Sequence, residues 1–262
     1  MQTQERHGRI LERLDADRFA SVNDLALAMG VSASTVRRDL HELDARGELR
    51  RTHGGAVLLS RGGQEISRTS EGSVEAPWAS TAATDADEKA ALGRAAAALV
   101  PDGAVVALDI GTTTPLLARH LAGRRVTVIT ANLAVLDELR GDDAVEVVLL
   151  GGQVRRNFQT LVGPLTLQAL ASISCDLAFL SCTGVRPDGR VVDDMSVEAP
   201  TKEALVAAAQ QTVLLTSRAK FPGTGSLQTT SLEAVDVLVT TDGAPQSALD
   251  RVTAAGGRVV LA

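Results

Sequence analysis

A chain of 262 residues, 45% hydrophobic, with a formal net charge of −6 and two cysteines has enough length to bury one medium-sized core and a smaller one beside it. The acidic balance excludes a general nucleic-acid binder with a broad basic surface, so any DNA contact must be confined to a local basic face. The longest apolar runs, such as Val145 to Leu150, are strand-sized and no apolar signal core opens the chain, which predicts a soluble, cytoplasmic protein without membrane contact. Cys175 and Cys182 lie in or beside an apolar strand without metal-ligand spacing. Reduced core thiols are expected there, with no disulfide, metal or cofactor.

The first sixty residues are roughly neutral, and the remainder carries the acidic excess. Arg6 to Asp15 place Ile10, Leu11 and Leu14 on one helical stripe. Ser21 with Asp24 three residues later forms a capping box that opens a second helix, Val22 to Met29, and Gly30 stops it. Val31 and Ser32 lead into a third helix, Ala33 to Arg46, with Ser32 as N-cap, Val36, Leu40 and Leu43 facing inward, and Gly47 at its end. The outward face carries Ser34, Thr35, Arg37, Arg38 and His41. Short hydroxyls near a helix start and paired guanidiniums one turn later suit base edges and phosphates. Glu48 to Arg51, the turn Thr52, His53, Gly54 and Gly55, and Ala56 to Leu59 then read as a two-stranded basic wing. Residues 1–59 are therefore expected to form a winged helix-turn-helix, touching DNA through Ser32, Ser34, Thr35, Arg37, Arg38, Arg51 and His53.

The stretch VSASTVRRDLHELDARGELRRTHGGA resembles the DNA-binding signature of the DeoR family of bacterial transcriptional regulators. Val31, Ser32, Thr35, Val36, Arg37, Arg38, Asp39, Leu40, Leu43, Gly47, Arg51, His53, Gly54, Gly55 and Ala56 carry the match. Asp39 is expected to orient a guanidinium or a neighbouring helix rather than to meet phosphate.

Residues 60–84 turn to Ser, Gly, Thr, Ala and Glu without apolar periodicity and read as a linker, in which Trp78 is expected to dock on a domain surface. From 85 to 262 strands and helices alternate, with strands at Val105 to Asp109, Val126 to Thr130, Val145 to Leu150, Leu177 to Ser181, Thr212 to Thr216, Val235 to Thr240 and Arg258 to Leu261. That alternation predicts a mostly parallel α/β domain with helices on both faces and ligands beyond the carboxyl ends of its strands. Val105 to Thr114 reads as a strand, an IGTTT turn and a helix start, where Gly111 and the amides and hydroxyls of Thr112, Thr113 and Thr114 form an anion site. No Lys follows, so this is not a Walker loop. Thr130 to Asn132, Gly151 to Arg156, Cys182 to Gly184 and Thr216 to Lys220 also follow strands and are expected on the same rim.

The resemblance continues through Lys89 to Asp242, which is similar to the DeoR-family effector domain, related in fold to ribose 5-phosphate isomerase and coenzyme A transferases. It implies a phosphorylated sugar or related effector held by Gly111, Thr112, Thr113 and Thr114, with Asp109, Asn132, Gly152 and Lys220 completing the site, and it aligns Lys89, Glu198 and Lys202 with family positions. Ala131 and Ser217 depart from the family pattern, and Arg218 adds a positive charge beside Ser217, so a more anionic ligand such as a bisphosphate is expected. Lys89, Lys202 and Lys220 are the three lysines of an Arg-rich chain, which points to a compact, mobile ammonium at Lys202 and Lys220. The expected protein is a repressor of a carbohydrate operon, at least a dimer on repeated half-sites. The alternative is a sugar-phosphate isomerase using Glu198, Asp109 and Lys220; the recognition helix favours the regulator.

Overall fold

The computed structural model describes residues 3–17, 19–45, 48–51, 55–58 and 78–262. The chain divides into two compact units, Met1–Thr81 and Ala82–Ala262.

In the first unit α1 (Thr3–Asp17), β1 (Phe19–Ser21), α2 (Val22–Met29) and α3 (Ala33–Ala45) are followed by β2 (Leu49–Arg51) and β3 (Gly55–Leu58). Ser21 Oγ accepts the Asp24 amide at 3.1 Å, and Gly30, at φ 65°, makes the left-handed turn that ends α2. The expected two-stranded wing has a third strand, because β1 pairs with β3 in the order β1-β3-β2. Three residues are too few to show an alternating pattern, so β1 left no signature in the sequence. Ile10, Leu14, Leu25, Val36, Leu40 and Leu43 are fully buried and close the core of this unit.

One carboxylate is buried at that core. Asp39 accepts Arg6 Nε at 2.5 Å and Nη2 at 2.7 Å, and lies 3.3 Å from His7 Nε2. Burial pushes its carboxyl up, but the bonds from Arg6 and His7 outweigh that and hold it below its ordinary value of 3.8. The guanidinium that Asp39 orients thus belongs to α1 and not to the adjacent Arg38, so the pair fixes α1 against α3. Asp39→Asn is expected to destabilise this unit by roughly 3 kcal/mol, measured by urea denaturation, because Arg6 then remains buried without its counter-charge. The contribution is complete above the unfolded value and disappears as pH falls through the lower folded value.

The second unit begins at Ala82, within α4 (Trp78–Ala83), a helix at the end of the expected linker; residues 59–77 lie outside the described set. Its first half contains α5 (Ala86–Ala97), β4 (Val105–Leu108), α6 (Thr114–Arg119), β5 (Thr127–Thr130), α7 (Leu133–Leu139), β6 (Glu146–Leu149), β7 (Gln153–Arg155), β8 (Thr160–Val162) and α8 (Pro164–Leu170). The second half contains β9 (Cys175–Ser181), β10 (Gly184–Val185), β11 (Arg190–Asp193), α9 (Ala199–Ala208), β12 (Ala209–Thr216), β13 (Leu227–Ser231), β14 (Val237–Thr240), α10 (Gln246–Ala254) and β15 (Arg258–Leu261).

Seven of these strands form one parallel sheet in the order β15-β14-β12-β9-β4-β5-β6. Alternate residues serve opposite faces. Val106, Leu108, Val128, Phe179 and Val213 pack with Leu92, Leu117 and Leu139 of α5, α6 and α7. Ala107, Ile129, Ala178, Leu180 and Leu214 pack with Leu170, Leu205 and Val252 of α8, α9 and α10. The five inner strands are largely buried and the edge strands β6 and β15 partly exposed, yet each carries a short apolar run, which is why all seven were visible in the sequence. The short antiparallel additions, β10-β11-β13 and the β7-β8 hairpin, were not. β5 and β6 extend from one side of β4 while β9, β12, β14 and β15 extend from the other, so the sheet changes direction between β4 and β9. Open parallel sheets leave a crevice at such a point, beyond the strand ends.

Candidate DNA-recognition helix and effector site

On α3 the apolar stripe leaves Ser32, Ser34, Arg37, Arg38 and His41 exposed and Thr35 half-buried. Ser34, Arg37, Arg38 and His41 fall at intervals of three, four and seven residues and so share one face. Ser32 caps the helix, with its Oγ accepting the Thr35 amide at 3.2 Å and lying 2.8 Å from Ser34 Oγ and 2.9 Å from Thr35 Oγ1. Arg51 is on β2, opposite Ala56, while His53 lies outside the described residues.

In the sensor unit, the loop after β4 is held from within. Asp109 is fully buried; its Oδ1 accepts the Gly111 amide at 3.0 Å, and its Oδ2 accepts the Ser181 amide at 2.6 Å, Ser181 Oγ at 2.8 Å and Lys202 Nζ at 3.0 Å. Gly111 is required by a close approach, since a Cβ there would lie 1.8 Å from Ser181 Oγ. Thr114 Oγ1 shares its proton between the carbonyls of Asp109 at 2.7 Å and Gly111 at 3.0 Å. Thr112 is half-buried and Thr113 is 5% exposed, and neither hydroxyl makes a hydrogen bond to another described residue. The same holds for the amides of Thr112, Thr113 and Thr114. These donors stand at the start of α6, at the point where the sheet changes direction.

Lys202 supplies the charge that holds the crevice together. Its three ammonium protons meet Asp109 Oδ2 at 3.0 Å, Asp193 Oδ2 at 3.0 Å and the Ser181 carbonyl at 2.7 Å. Burial opposes its charge, yet Asp109 and Asp193 more than compensate and raise its pKa above the ordinary lysine value. Burial likewise pushes Asp193 up, and Lys202 brings it below 3.8. The expected mobile ammonium at Lys202 is therefore a fixed one with no donor left for a ligand.

Three further residues expected at the rim are engaged within the fold. Asn132 is fully buried, and its amide donates to the carbonyls of Gly111 at 3.0 Å and Asp109 at 3.3 Å while its Oδ1 accepts the Ala134 amide at 3.0 Å. It latches the loop from behind. Gly152 is needed by its own packing, because a Cβ would lie 2.2 Å from Thr166 Oγ1 and 2.8 Å from the Val162 carbonyl. Arg218 pairs with Glu88 at 3.2 Å, so the charge expected to favour a bisphosphate is compensated. Lys220 is half-buried on the turn after β12. Lys89 is 7% exposed, and burial first and Lys220 second push it down to about 8.

Sequence reasoning missed Asp193, Ser181 and Arg155. Glu198, 2% exposed, accepts Arg155 Nη1 and, at 3.1 Å, Thr160 Oγ1. Burial pushes its carboxyl up to about 7 even though Arg155 and Lys202 pull it down. Lysine scarcity, the family alignment of Glu198 and Lys202 and the rim segment Gly151 to Arg156 pointed toward this cluster, but no spacing joins residues 109, 155, 181 and 193. Among the described residues no group of His, Cys, Asp or Glu could hold a metal ion, and no helix is long and apolar enough to cross a membrane.

The family described as the DeoR C terminal sensor domain matches residues 84–242, and the DeoR-like helix-turn-helix domain matches residues 6–62. The chain belongs to the DeoR family. It is similar to the glycerol-3-phosphate regulon repressor of Escherichia coli strain K12, with 29% identity over 97% of this chain and 96% of that one. The L-fucose operon activator of the same strain is 30% identical over 82% of this chain and 85% of its own length. Among solved structures, ribose 5-phosphate isomerase A of Methanocaldococcus jannaschii has 18% identity and a TM-score of 0.40, over 52% of this chain and 55% of that one. At that score the likeness decides nothing about chemistry. This DeoR-family chain is a DNA-binding transcriptional regulator with a small-molecule sensor domain.

Two outcomes follow from the geometry. Arg37→Ala and Arg38→Ala are each expected to weaken operator binding by roughly 1 to 3 kcal/mol where the side chain reads a base, or to lower the salt slope by about one where it holds phosphate, with unchanged folding; fluorescence anisotropy across a salt series checks both. For Glu198, the unfolded carboxyl titrates near 4.5 and the folded one near 7. Between these values the folded state keeps a proton that the unfolded state has lost, so stability falls as pH rises through the window. Glu198→Gln should flatten that fall, roughly 3 kcal/mol at full extent, in denaturation curves from pH 4 to 8.

Proposed function

We propose that this regulator represses a carbohydrate-utilisation operon and that a phosphorylated sugar or related metabolite, bound at the β4–β9 crevice, changes its operator affinity. The carrying observation is the loop 111–114, pinned by Asp109, Asn132 and Thr114, which leaves the amides of residues 112–114 and the hydroxyls of Thr112 and Thr113 available at a helix start. Preorganised donors of this kind suit a phosphate. Lys220 adds positive charge to the rim, and Lys89 feels it. Asp109 and Asn132 act by shaping the loop, Gly152 by packing. The similarity to a glycerol-3-phosphate regulon repressor supports the ligand class.

An isomerase would need a free base and a free ammonium beside its substrate. Here both carboxylates of that alternative are engaged, Asp109 by Gly111, Ser181 and Lys202 and Glu198 by Arg155 and Thr160, so neither is a free base beside Lys220. These engagements favour sensing over turnover. A single recognition helix reads too few base pairs for genomic specificity, so the regulator acts as a homodimer or larger assembly on repeated half-sites. The boundaries that serve this function are a winged helix-turn-helix over 1–59, a connection over 60–84 and a sensor over 85–262.

A thermal-shift screen against sugar phosphates, glycerol 3-phosphate among them, followed by operator binding with each hit, tests the reading. Phosphorylated compounds should raise the melting temperature and shift the operator midpoint where their dephosphorylated forms do not; steady turnover of a sugar phosphate would overturn it. Thr113→Val should remove the effector response while leaving operator affinity without effector unchanged, and a wild-type effector midpoint in this variant would reduce the loop to a turn.

A further inference from the structure

The sensor unit holds a cleft of about 150 Å³ that none of the residues 109–114, 181–183 or 202 lines. Its floor is Val185, Leu232 and Ala248, all buried, with half-buried Phe221 as a wall and Arg186 and Arg251 at the mouth. An apolar protein cavity of about this volume takes up benzene. A polyhydroxylated sugar does not suit it, because hydroxyls set against Val185, Leu232 and Ala248 would lose their hydration without gaining partners.

The mouth decides the charge. Arg251 Nη1 donates to Glu233 at 2.7 Å, and Arg186 Nη2 donates to the neutral carbonyl of Gly225. Asp188, the acid beside Arg186, is itself bound to Arg190 at 2.5 Å. Each guanidinium has five N–H donors, so both mouth arginines retain donors for an acceptor at the opening. The two arginines that line the opening thus have one carboxylate partner between them, Glu233 on Arg251, which leaves positive charge above an apolar floor. We infer that the cleft is a second small-molecule site, for a ligand with a compact apolar body and one carboxylate. It shares a loop with the rim, since Phe221 follows Lys220 directly and the Gly223 amide donates to the Val185 carbonyl at 2.9 Å.

The probe is 4-fluorobenzoate, titrated into the full chain and followed by fluorine NMR. Saturable binding with Kd on the order of 1 mM is expected, with neutral 4-fluorobenzamide about tenfold weaker or worse. Ala248→Leu, which fills the floor, should abolish binding. If that variant unfolds, Ser247→Trp at the exposed edge of the cleft blocks entry without touching the core. Arg251→Gln should weaken the benzoate about tenfold and leave the benzamide unchanged. Excess inorganic phosphate, added at constant ionic strength, should not displace the probe. Binding that is unsaturable, insensitive to Ala248→Leu and Ser247→Trp, equal for the two probes, or displaced by phosphate would overturn the assignment.

Discussion

A lysine ammonium that is 4% exposed costs several kcal/mol of lost hydration unless its surroundings replace that hydration in full. Lys202 meets the condition only where α9, the end of β9, the end of β11 and the turn after β4 come together, because its three acceptors belong to the last three of these. Moving any one of them leaves a buried charge short of a partner. The crevice is therefore rigid for electrostatic reasons, and its geometry does not wait for a ligand. Preorganisation of this kind spares a ligand the cost of ordering the loop.

The DNA-binding unit uses the same physics on a smaller scale. Among the described residues eleven buried apolar side chains close this core, and a small unit has little hydrophobic surplus to set helix angles. The bidentate pair between Arg6 and Asp39 supplies direction as well as energy, since a planar guanidinium accepts a carboxylate in few orientations. It places α1 against α3 and leaves Arg37 and Arg38, which are exposed, clear of the acid that follows them in sequence.

How much of this was legible depended on which signal each part left in the chain. The seven parallel strands were readable because each is a short apolar run bounded by turn residues, and the six helices covering them because helix faces write a 3.6-residue period. The recognition helix was readable because its polar and apolar faces carry different chemistry at fixed spacing. β1, β7, β8, β10 and β11 were not readable, being two to four residues long, too short to write an alternating pattern. At the rim, the loop 109–114 was visible, but the division of labour inside it was not. Asp109, Thr114 and Asn132 look as suited to a ligand as Thr113 does, and only their partners show that they serve the loop.

That division of labour separates two kinds of change at the crevice. Residues whose hydrogen-bonding capacity is spent internally, Asp109, Thr114, Asn132 and Lys202, hold a shape that many phosphorylated ligands could share, and altering them costs folding energy before it alters preference. Residues with capacity to spare, Thr112, Thr113 and Lys220, can change at small cost to the fold. Discrimination between ligands requires contacts that differ from one ligand to the next, and a saturated group offers none. With the proposed effector at the crevice, ligand preference would therefore fall to the second set, while the first keeps the shape of the loop.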